Sequence, residues 1–552
     1  MKITYTYPKL KIAFAVLVCL VTFFVNNQVL VPDIMESRNI VTAREMVYDG
    51  NWIIPTMNGT LRLEKPPLPT WTTAVAEIVS PDNVALQRAM AGLAALLLVY
   101  YFWRFSRRIL RLDPFVPTLL LCTCYNVILM GRTASWDIYC HAFMMGGIYH
   151  FARAVSERPC AWRQFLWAGL FTGLSIMSKG PVSLYALFLP FIISYFTFRR
   201  PSMRGKWGAL TVMIVLALAI GGWWYLYVHL AQADALSAVV EKESGSWINR
   251  NVRPWWYYWK FFLETGVWSL LMLTSIFLPL FNRRRRTSRR WLISLGWLVC
   301  SLVLLSLLPE KKSRYLLPIL IPASYVMGCM LVWWKNAFAD LKNPAKSDRI
   351  LFRINCGLIA LVMLALPVAG WIFGVKPGAL SLGVWIAFTI IDVTLAAWLI
   401  AATVRLRPMV MLVGVALLFM AAECTVITLM RSVVNNPEMK SISGTRELRE
   451  LDGLPFYHLD TEELRIELVY AAHRPIRAIS ADSVAAHMPC VILTHQRAGQ
   501  ALPTGLWEVA DSTYIDRYDD NRRPKNTKRY SDLFIFHATK LTPKDTAAVS
   551  MR

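Results

Sequence analysis

The sequence predicts a polytopic membrane protein, an all-α bundle of about 13 transmembrane helices followed by a small α/β domain outside the membrane. The chain of 552 residues is 56% hydrophobic and 17% charged, with a mean hydropathy of +0.42, whereas soluble domains carry about 25% charged residues. Apolar blocks of about 17–25 residues recur along it, the length that crosses a bilayer. This composition excludes a disulfide scaffold, a disordered chain and an ordinary cytosolic enzyme.

The first predicted span covers about residues 12–31 and follows three lysines. Asn26-Asn27-Gln28 near its end is not a cleavage site of small residues, so we interpret the block as an uncleaved anchor. The remaining predicted spans are about 84–103, 115–131, 136–153, 163–178, 180–198, 208–230, 256–281, 292–308, 315–334, 352–374, 379–403 and 409–430.

Basic residues fall in alternate loops, which predicts the orientation of the chain. Residues 107–111, 199–206 and 283–290 are rich in arginine and belong to loops on one side. The positive-inside rule places these loops and the N-terminus on the cytoplasmic side of the membrane. The net charge of +24 therefore needs no nucleic acid partner.

The same orientation predicts two domains. Residues 1–431 form the transmembrane domain, with two long outer loops at 32–83 and 231–255. Residues 432–552 form a periplasmic α/β domain, because a helical pattern at 461–473 alternates with apolar runs at 489–493 and 533–536.

The cysteines and histidines suggest no metal site. Most of the ten cysteines lie inside apolar blocks, and no CxxC pair is present. We predict no required cofactor, and a divalent metal is possible but not indicated.

Acidic and basic residues cluster in the first outer loop. Asp33 and Glu36 follow Pro32, and they are either functional carboxylates or the cap of a helix. Asn58-Gly59-Thr60 is either a tight turn or a glycosylation acceptor. Glu64-Lys65 precedes two prolines and is either an interfacial pair or part of a site.

Other outer loops carry further charges at the ends of spans. They contain Asp137, Lys179 and the run Glu310-Lys311-Lys312-Ser313-Arg314-Tyr315. Bases on the side that the positive-inside rule disfavours indicate an anion site, and a phosphate headgroup suits paired bases at a membrane face.

These segments together resemble the GT-C glycosyltransferases of the protein O-mannosyltransferase and lipid A aminoarabinose transferase group. The resemblance rests on the order of the following motifs over about residues 1–430: Glu36-Ser37-Arg38, Arg44-Glu45-Met46, Gly50-Asn51-Trp52, Glu64-Lys65-Pro66-Pro67, Asp137, Lys179-Gly180-Pro181 and Lys312-Ser313-Arg314-Tyr315-Leu316-Leu317-Pro318. Met35 and Asn39 stand where the family usually has Asp and Tyr.

The resemblance implies an inverting transfer of a sugar from an undecaprenyl-phosphate donor at the periplasmic face, without an obligatory metal. It implies lipid A as the acceptor, with Ser or Thr of envelope proteins as the alternative. A membrane transporter is the rival from another class, although no internal repeat supports it. The partners are therefore the lipid-linked donor, one of these acceptors and membrane lipid.

The site residues follow from the matching motifs. The predicted catalytic carboxylates are Asp33, Glu36 and Asp137. The predicted ligands of the donor phosphate are Lys65, Lys179, Lys312, Arg314 and Tyr315, because positive groups near a leaving phosphate lower the barrier. Arg38 and Glu64 are predicted to orient the sugar or the neighbouring bases.

Overall fold

The structure is a computed structural model, and it describes residues 8–157, 161–281, 288–339, 345–429, 436, 438–525, 527 and 530–544. The basic run at 283–286 and the two chain ends lie outside the described residues. The fold is mostly helical and divides into two compact units. The first unit comprises residues 1–29, 63–72 and 84–429, and the second comprises residues 30–62, 73–83 and 430–552.

The helices up to residue 424 begin and end as follows: α1 Pro8–Phe24, α2 Ile34–Tyr48, α3 Leu68–Val79, α4 Val84–Phe105, α5 Phe115–Cys122, α6 Tyr125–Gly131, α7 Trp136–Ser156, α8 Trp162–Lys179, α9 Leu189–Arg199, α10 Trp207–Ala231, α11 Ala233–Asn249, α12 Ser269–Phe281, α13 Arg289–Leu307, α14 Leu317–Ala339, α15 Lys346–Gly370, α16 Leu382–Arg405 and α17 Pro408–Cys424. A 3₁₀ segment over Trp255–Trp268 leads into α12.

Seven helical segments within the described residues are long and apolar enough to cross a membrane, which agrees with a multi-pass membrane protein. The segment that contains α14 is 89% buried in its most apolar window, whereas the corresponding window of α10 is 28% buried. An apolar helix that is largely exposed in the fold faces lipid, so α14 is central and α10 is peripheral. The predicted total of 13 spans is not confirmed.

The predicted span at 115–131 is instead two short helices. Thr123 and Cys124 lie between α5 and α6, and Cys124 has an extended backbone. The Thr123 hydroxyl donates to the Leu119 carbonyl and accepts a hydrogen bond from the indole of Trp268 at 2.8 Å. Side-chain groups thus provide hydrogen bonds at the break, which lets an apolar segment leave the helical conformation.

The second unit contains a mixed five-stranded sheet. Its elements are β3 Phe456–Leu459, α18 Ile466–Ala472, β4 Ile476–Ile479, β5 Cys490–Thr494, α19 Ala498–Ala501, α20 Leu506–Val509, β6 Ala510–Asp519 and β7 Ile535–Pro543. The strand order is β4-β3-β5-β7-β6, with β3 parallel to β4 and β5, and β7 antiparallel to β5 and β6. The small C-terminal α/β domain is therefore confirmed, and its helix and strands fall on the patterns at 461–473, 489–493 and 533–536.

Part of the first outer loop folds into this second unit. Val41 of α2 shares an apolar core with Leu468 and Val469 of α18. The Arg44 guanidinium donates to the Tyr470 carbonyl at 3.0 Å. The prediction assigns the whole loop 32–83 to the membrane domain, whereas the structure groups residues 30–62 and 73–83 with the C-terminal segment.

Asn58-Gly59 forms the turn of a two-stranded hairpin, as its sequence predicts. The hairpin pairs β1 Thr56–Met57 with β2 Thr60–Leu61, and both turn residues have positive φ, 55° and 80°, which favours Asn and Gly. The Asn58 side chain also donates to the Ile476 carbonyl at 2.6 Å and accepts from the Ile476 N–H at 2.9 Å. Asn58 therefore ties the loop to strand β4.

Candidate functional site

A buried ion pair joins two helices of the first unit. Asp137 lies in the first turn of α7, and Lys179 is the last residue of α8. The Lys179 ammonium contacts the Asp137 carboxylate, and the two side chains are 8% and 3% exposed. Each charge also suits the helix end at which it lies, because helix N-termini favour anions and C-termini favour cations. Gly180, with φ of +71°, ends α8 directly after the lysine.

A second ion pair lies beside the first. Lys312 contacts Glu310, with 2.5 Å between the ammonium and the carboxylate oxygen. The Tyr315 hydroxyl donates to the same carboxylate at 3.4 Å. The ring centroid of Tyr315 lies 5.1 Å from the Lys179 nitrogen and 5.6 Å from the Lys312 nitrogen. Tyr315 therefore connects the two ion pairs by cation–π contacts.

The backbone around Lys312 is held by a second tyrosine. The hydroxyl of Tyr258 accepts from the Lys312 N–H at 3.0 Å and donates to its carbonyl at 3.3 Å. Val252 pairs with Glu310 in an antiparallel bridge, and the Lys311 N–H donates to the Asn251 carbonyl at 3.2 Å. The segment 309–315 is thus fixed by residues of the predicted outer loop 231–255 and of the 3₁₀ segment that follows it.

Lys65 adds a third base to this group. Its ammonium lies 3.2 Å from the Glu243 carboxylate, and its side chain is 24% exposed. Burial lowers the pKa of Lys65 from its ordinary value, and the positive charge of Lys179 lowers it further, while Glu243 and Glu64 oppose the shift. One carboxylate oxygen of Glu64 is buried and has no hydrogen-bond partner among the described residues.

Arg314 differs from the three lysines of the site, because no carboxylate of the described residues contacts its positive charge. Within the described ranges it forms no ion pair, yet it acts electrostatically on Asp137. Lys65, Lys179 and Lys312 each have a carboxylate partner. A guanidinium with free donors can bind a phosphate bidentately. The arrangement can therefore hold a phosphate with Arg314 while the paired lysines supply further positive charge.

Three predicted residues of the first loop, Asp33, Glu36 and Arg38, lie in the second unit. Asp33 caps α2 by accepting from the N–H groups of Met35 and Glu36, both at 2.9 Å, which confirms the capping interpretation. Glu36 is buried, with 1% of its surface exposed. The Nε of Arg38 is buried and has no hydrogen-bond partner among the residues that the structure describes. The catalytic and orienting roles of these three residues stay predictions.

Four residues of the site were not predicted, and one of them is Glu243, the partner of Lys65. Glu310 and Tyr258 organise Lys312, and His141 lies one turn after Asp137 with a buried Nδ1 that has no hydrogen-bond partner in the described ranges. The spacing of four residues in a helix could have placed His141 beside Asp137. Tyr258 gave no such signal, because tyrosines at a membrane interface are common.

The chain is similar to known glycosyltransferases in sequence. The model of the family described as dolichyl-phosphate-mannose-protein mannosyltransferase matches residues 64–225, which include Lys65, Asp137 and Lys179. The undecaprenyl phosphate-alpha-4-amino-4-deoxy-L-arabinose arabinosyl transferase of Pseudomonas savastanoi pv. phaseolicola is 26% identical over 355 residues, 61% of this chain and 62% of that protein. The enzyme of the same description from Shewanella sediminis is 24% identical over 347 residues, 60% of each chain. These matches thus span less than two thirds of either relative.

Two solved structures share the fold along nearly the whole chain. The crystal structure of ArnT from Cupriavidus metallidurans bound to undecaprenyl phosphate has a TM-score of 0.65 at 15% identity, covering 96% of this chain and 97% of that one. Its apo form gives a TM-score of 0.64 with the same coverage. The chain shares the fold of these proteins. Together with the sequence matches, this confirms the resemblance to the GT-C glycosyltransferases of the aminoarabinose transferase group that the motifs predict.

Proposed function

We propose that the protein is an integral membrane glycosyltransferase that moves a sugar from an undecaprenyl-phosphate donor to lipid A. The observation that carries this proposal is the cluster of Lys179, Lys312 and Arg314 around Tyr315, with Asp137 buried against Lys179. The names of the curated relatives support the donor, since they describe transferases that use an undecaprenyl-phosphate-linked aminoarabinose.

The proposed reaction is a direct displacement with inversion. The bond between the anomeric carbon and the donor phosphate oxygen breaks, and a bond to the acceptor oxygen forms. The leaving undecaprenyl phosphate keeps the electron pair, so negative charge grows on it in the transition state. Arg314 and the lysines stabilise the phosphate more strongly in the transition state than in the ground state, because its negative charge is then larger. This difference lowers the barrier.

The carboxylates have separate proposed roles. Asp137 is proposed to hold the Lys179 ammonium in place through their buried contact. Asp33 or Glu36 is proposed to take the proton of a hydroxyl acceptor, whereas a phosphate acceptor on lipid A requires no base. Arg38 and Glu64 are proposed to orient the sugar.

We propose the following topology for this activity. The chain crosses the bacterial inner membrane about 13 times, with its N-terminus in the cytoplasm. Residues 1–431 form the transmembrane glycosyltransferase domain, and residues 432–552 lie in the periplasm. The reaction requires no metal.

Transfer to Ser or Thr of envelope proteins is the second candidate, and the match of residues 64–225 to the protein mannosyltransferase family favours it. Mass spectrometry of lipid A and of envelope proteins, from a deletion strain and its parent, separates the two. Loss of a sugar from a lipid A phosphate is expected. Loss of hexose from Ser or Thr peptides would favour the second candidate, and no change in either would contradict both.

The Lys65–Glu243 pair predicts a shift in the pH dependence of transfer. Lys65 must be protonated to attract the donor phosphate, and Glu243 opposes the lowering of its pKa. Glu243→Gln should therefore move the alkaline limb of the pH–rate profile to lower pH, because Lys65 then loses its proton earlier. Near neutral pH the rate should change less than about threefold, since the pair is partly exposed.

The matched control for this profile is Glu241→Gln. Glu241 is exposed, lies on the same helix α11, and forms no ion pair within the described ranges. An alkaline limb that moves equally in both variants, or in neither, would contradict the assigned role of Lys65.

A further inference from the structure

The second unit contains a cleft with walls of both charges. Its volume is about 280 Å³. The side chains that matter for its chemistry are Arg446, Glu467, Tyr470, Asp520, Arg522 and Phe534. A cleft that presents acids, bases and aromatic rings together can recognise a ligand that carries both charges.

Two acids at the cleft already have partners within the protein. Asp520 accepts from the Ser441 hydroxyl at 2.6 Å and from the Ile442 N–H at 2.9 Å. Asp82 lies 2.5 Å from both Arg44 and His473, and it also contacts Arg446. These carboxylates hold the walls together.

Only one of the two carboxylate oxygens of Glu467 has a hydrogen-bond partner among the described residues. It lies in the first turn of α18, and its Oε1 accepts from Arg465 at 3.3 Å. Its Oε2 is buried and has no hydrogen-bond partner in the described part of the chain. An unmatched carboxylate oxygen in a buried position is costly. The Glu467 side chain is 13% exposed and lines the cleft, so an ammonium group there would be attracted by its negative charge.

Arg522 is a positively charged group of the same cleft, and most of its hydrogen-bond donors are unused among the described residues. One guanidinium nitrogen donates to the Pro32 carbonyl at 2.6 Å, which uses one of the five N–H groups that an arginine offers. Among the described residues no carboxylate lies within 4.0 Å of it, although Glu467 and Asp33 act on it electrostatically. Arg522 and Glu467 therefore face the same cleft without forming an ion pair with each other.

We propose that this cleft binds a ligand that carries a phosphate and a primary amine, with the phosphate at Arg522 and the amine at Glu467. A phosphate provides the acceptors that match the free guanidinium donors of Arg522. Arg446, which contacts Asp82, also lines the cleft. Tyr470 and Phe534 cover the carbon atoms between the two groups. The headgroup of phosphatidylethanolamine and free phosphoethanolamine share this chemistry. The site goes beyond the proposed function, because sugar transfer does not require it.

The proposal is tested by titrating the purified full-length protein with phosphoethanolamine and measuring the heat of binding by calorimetry. We expect saturable binding to the wild type. Glu467→Gln should weaken this binding at least tenfold and leave the binding of inorganic phosphate unchanged, since only the amine loses its partner. Arg522→Gln should weaken both. Glu463→Gln, which alters an exposed acid of the same unit, is the control and should change neither.

Thermal unfolding of each variant separates loss of binding from loss of folding. If Glu467→Gln unfolds, Glu467→Asp keeps the charge on a shorter side chain and should bind phosphoethanolamine with intermediate affinity. The proposal is overturned if the wild type shows no saturable binding, or if a folded Glu467→Gln protein binds phosphoethanolamine as tightly as the wild type.

Nanodiscs distinguish the two sources of the ligand. In phosphatidylglycerol discs that also contain phosphatidylethanolamine, loss of phosphoethanolamine binding relative to pure phosphatidylglycerol discs identifies the lipid headgroup as the ligand. Unchanged binding identifies a free ligand. None of these readouts uses sugar transfer, so a failure here and a failure of the proposed function are separate results.

Discussion

Replacing Lys179 by Met is expected to lower the kcat/KM for sugar transfer by about 100-fold or more, the usual effect of removing one preorganised charge that stabilises a developing anion. The Lys179 ammonium is buried, contacts Asp137 and lies 5.1 Å from the Tyr315 ring centroid. Water therefore cannot replace it effectively. The measurement is transfer from a labelled polyprenyl-phosphate sugar in detergent or nanodiscs.

The single change also leaves Asp137 buried without its ion-pair partner, which can destabilise the fold. The double variant Asp137→Asn with Lys179→Met removes both charges, so it should recover thermal stability but not activity. Lys11→Met is the matched control, because Lys11 forms a Lys–Asp pair with Asp113 at 3.1 Å in the same unit. A stable Lys179→Met protein with activity within about threefold of the wild type would refute the phosphate-binding role.

The second large effect concerns the stability of the second unit. The Asp82 carboxylate lies 2.5 Å from a guanidinium nitrogen of Arg44 and 2.5 Å from the Nδ1 of His473, and it also contacts Arg446. Burial raises the pKa of this carboxyl, but the His473 hydrogen bond and the arginine charges outweigh it and lower the pKa to about 2. Asp82→Asn should therefore reduce the free energy of unfolding of this unit by roughly 2 kcal/mol, measured as faster hydrogen exchange in α2 and α18.

The pH dependence of this stabilisation has a definite sign. Because the pKa of Asp82 is lower in the folded state, its contribution is fully present above the ordinary value of 3.8 and is lost as the pH falls towards about 2. Asp82→Asn should remove that part of the acid sensitivity. Asp516→Asn is the control, because its pair with Lys440 is exposed and should contribute less than about 1 kcal/mol. Equal effects of the two substitutions would contradict the assignment.

Local patterns were sufficient for several elements. Asn58-Gly59 predicted a turn because both residues accept positive φ, and the structure has that turn. Asp33 with Glu36 three residues later matched a helix cap, which is also observed. The long apolar blocks predicted membrane helices, since the bilayer fixes their length.

Long-range contacts explain what the sequence did not predict. The partners of Asp82 are far apart in the chain, and only the tertiary fold brings Arg446 and His473 to it. Glu243, the partner of Lys65, lies on an exposed helix with no motif of its own. The break at Thr123 depends on a hydrogen bond from Trp268, so no local breaker residue marks it.

The division of the second unit between distant chain segments has a consequence for synthesis on the ribosome. Residues 30–62 are made early, whereas their packing partners on α18 begin at Ile466. At about 5–20 residues per second the interval between them is on the order of a minute. During that time the apolar face of α2, including Val41, is without its partner, so nascent chains stopped before α18 should be preferred targets for proteases and chaperones.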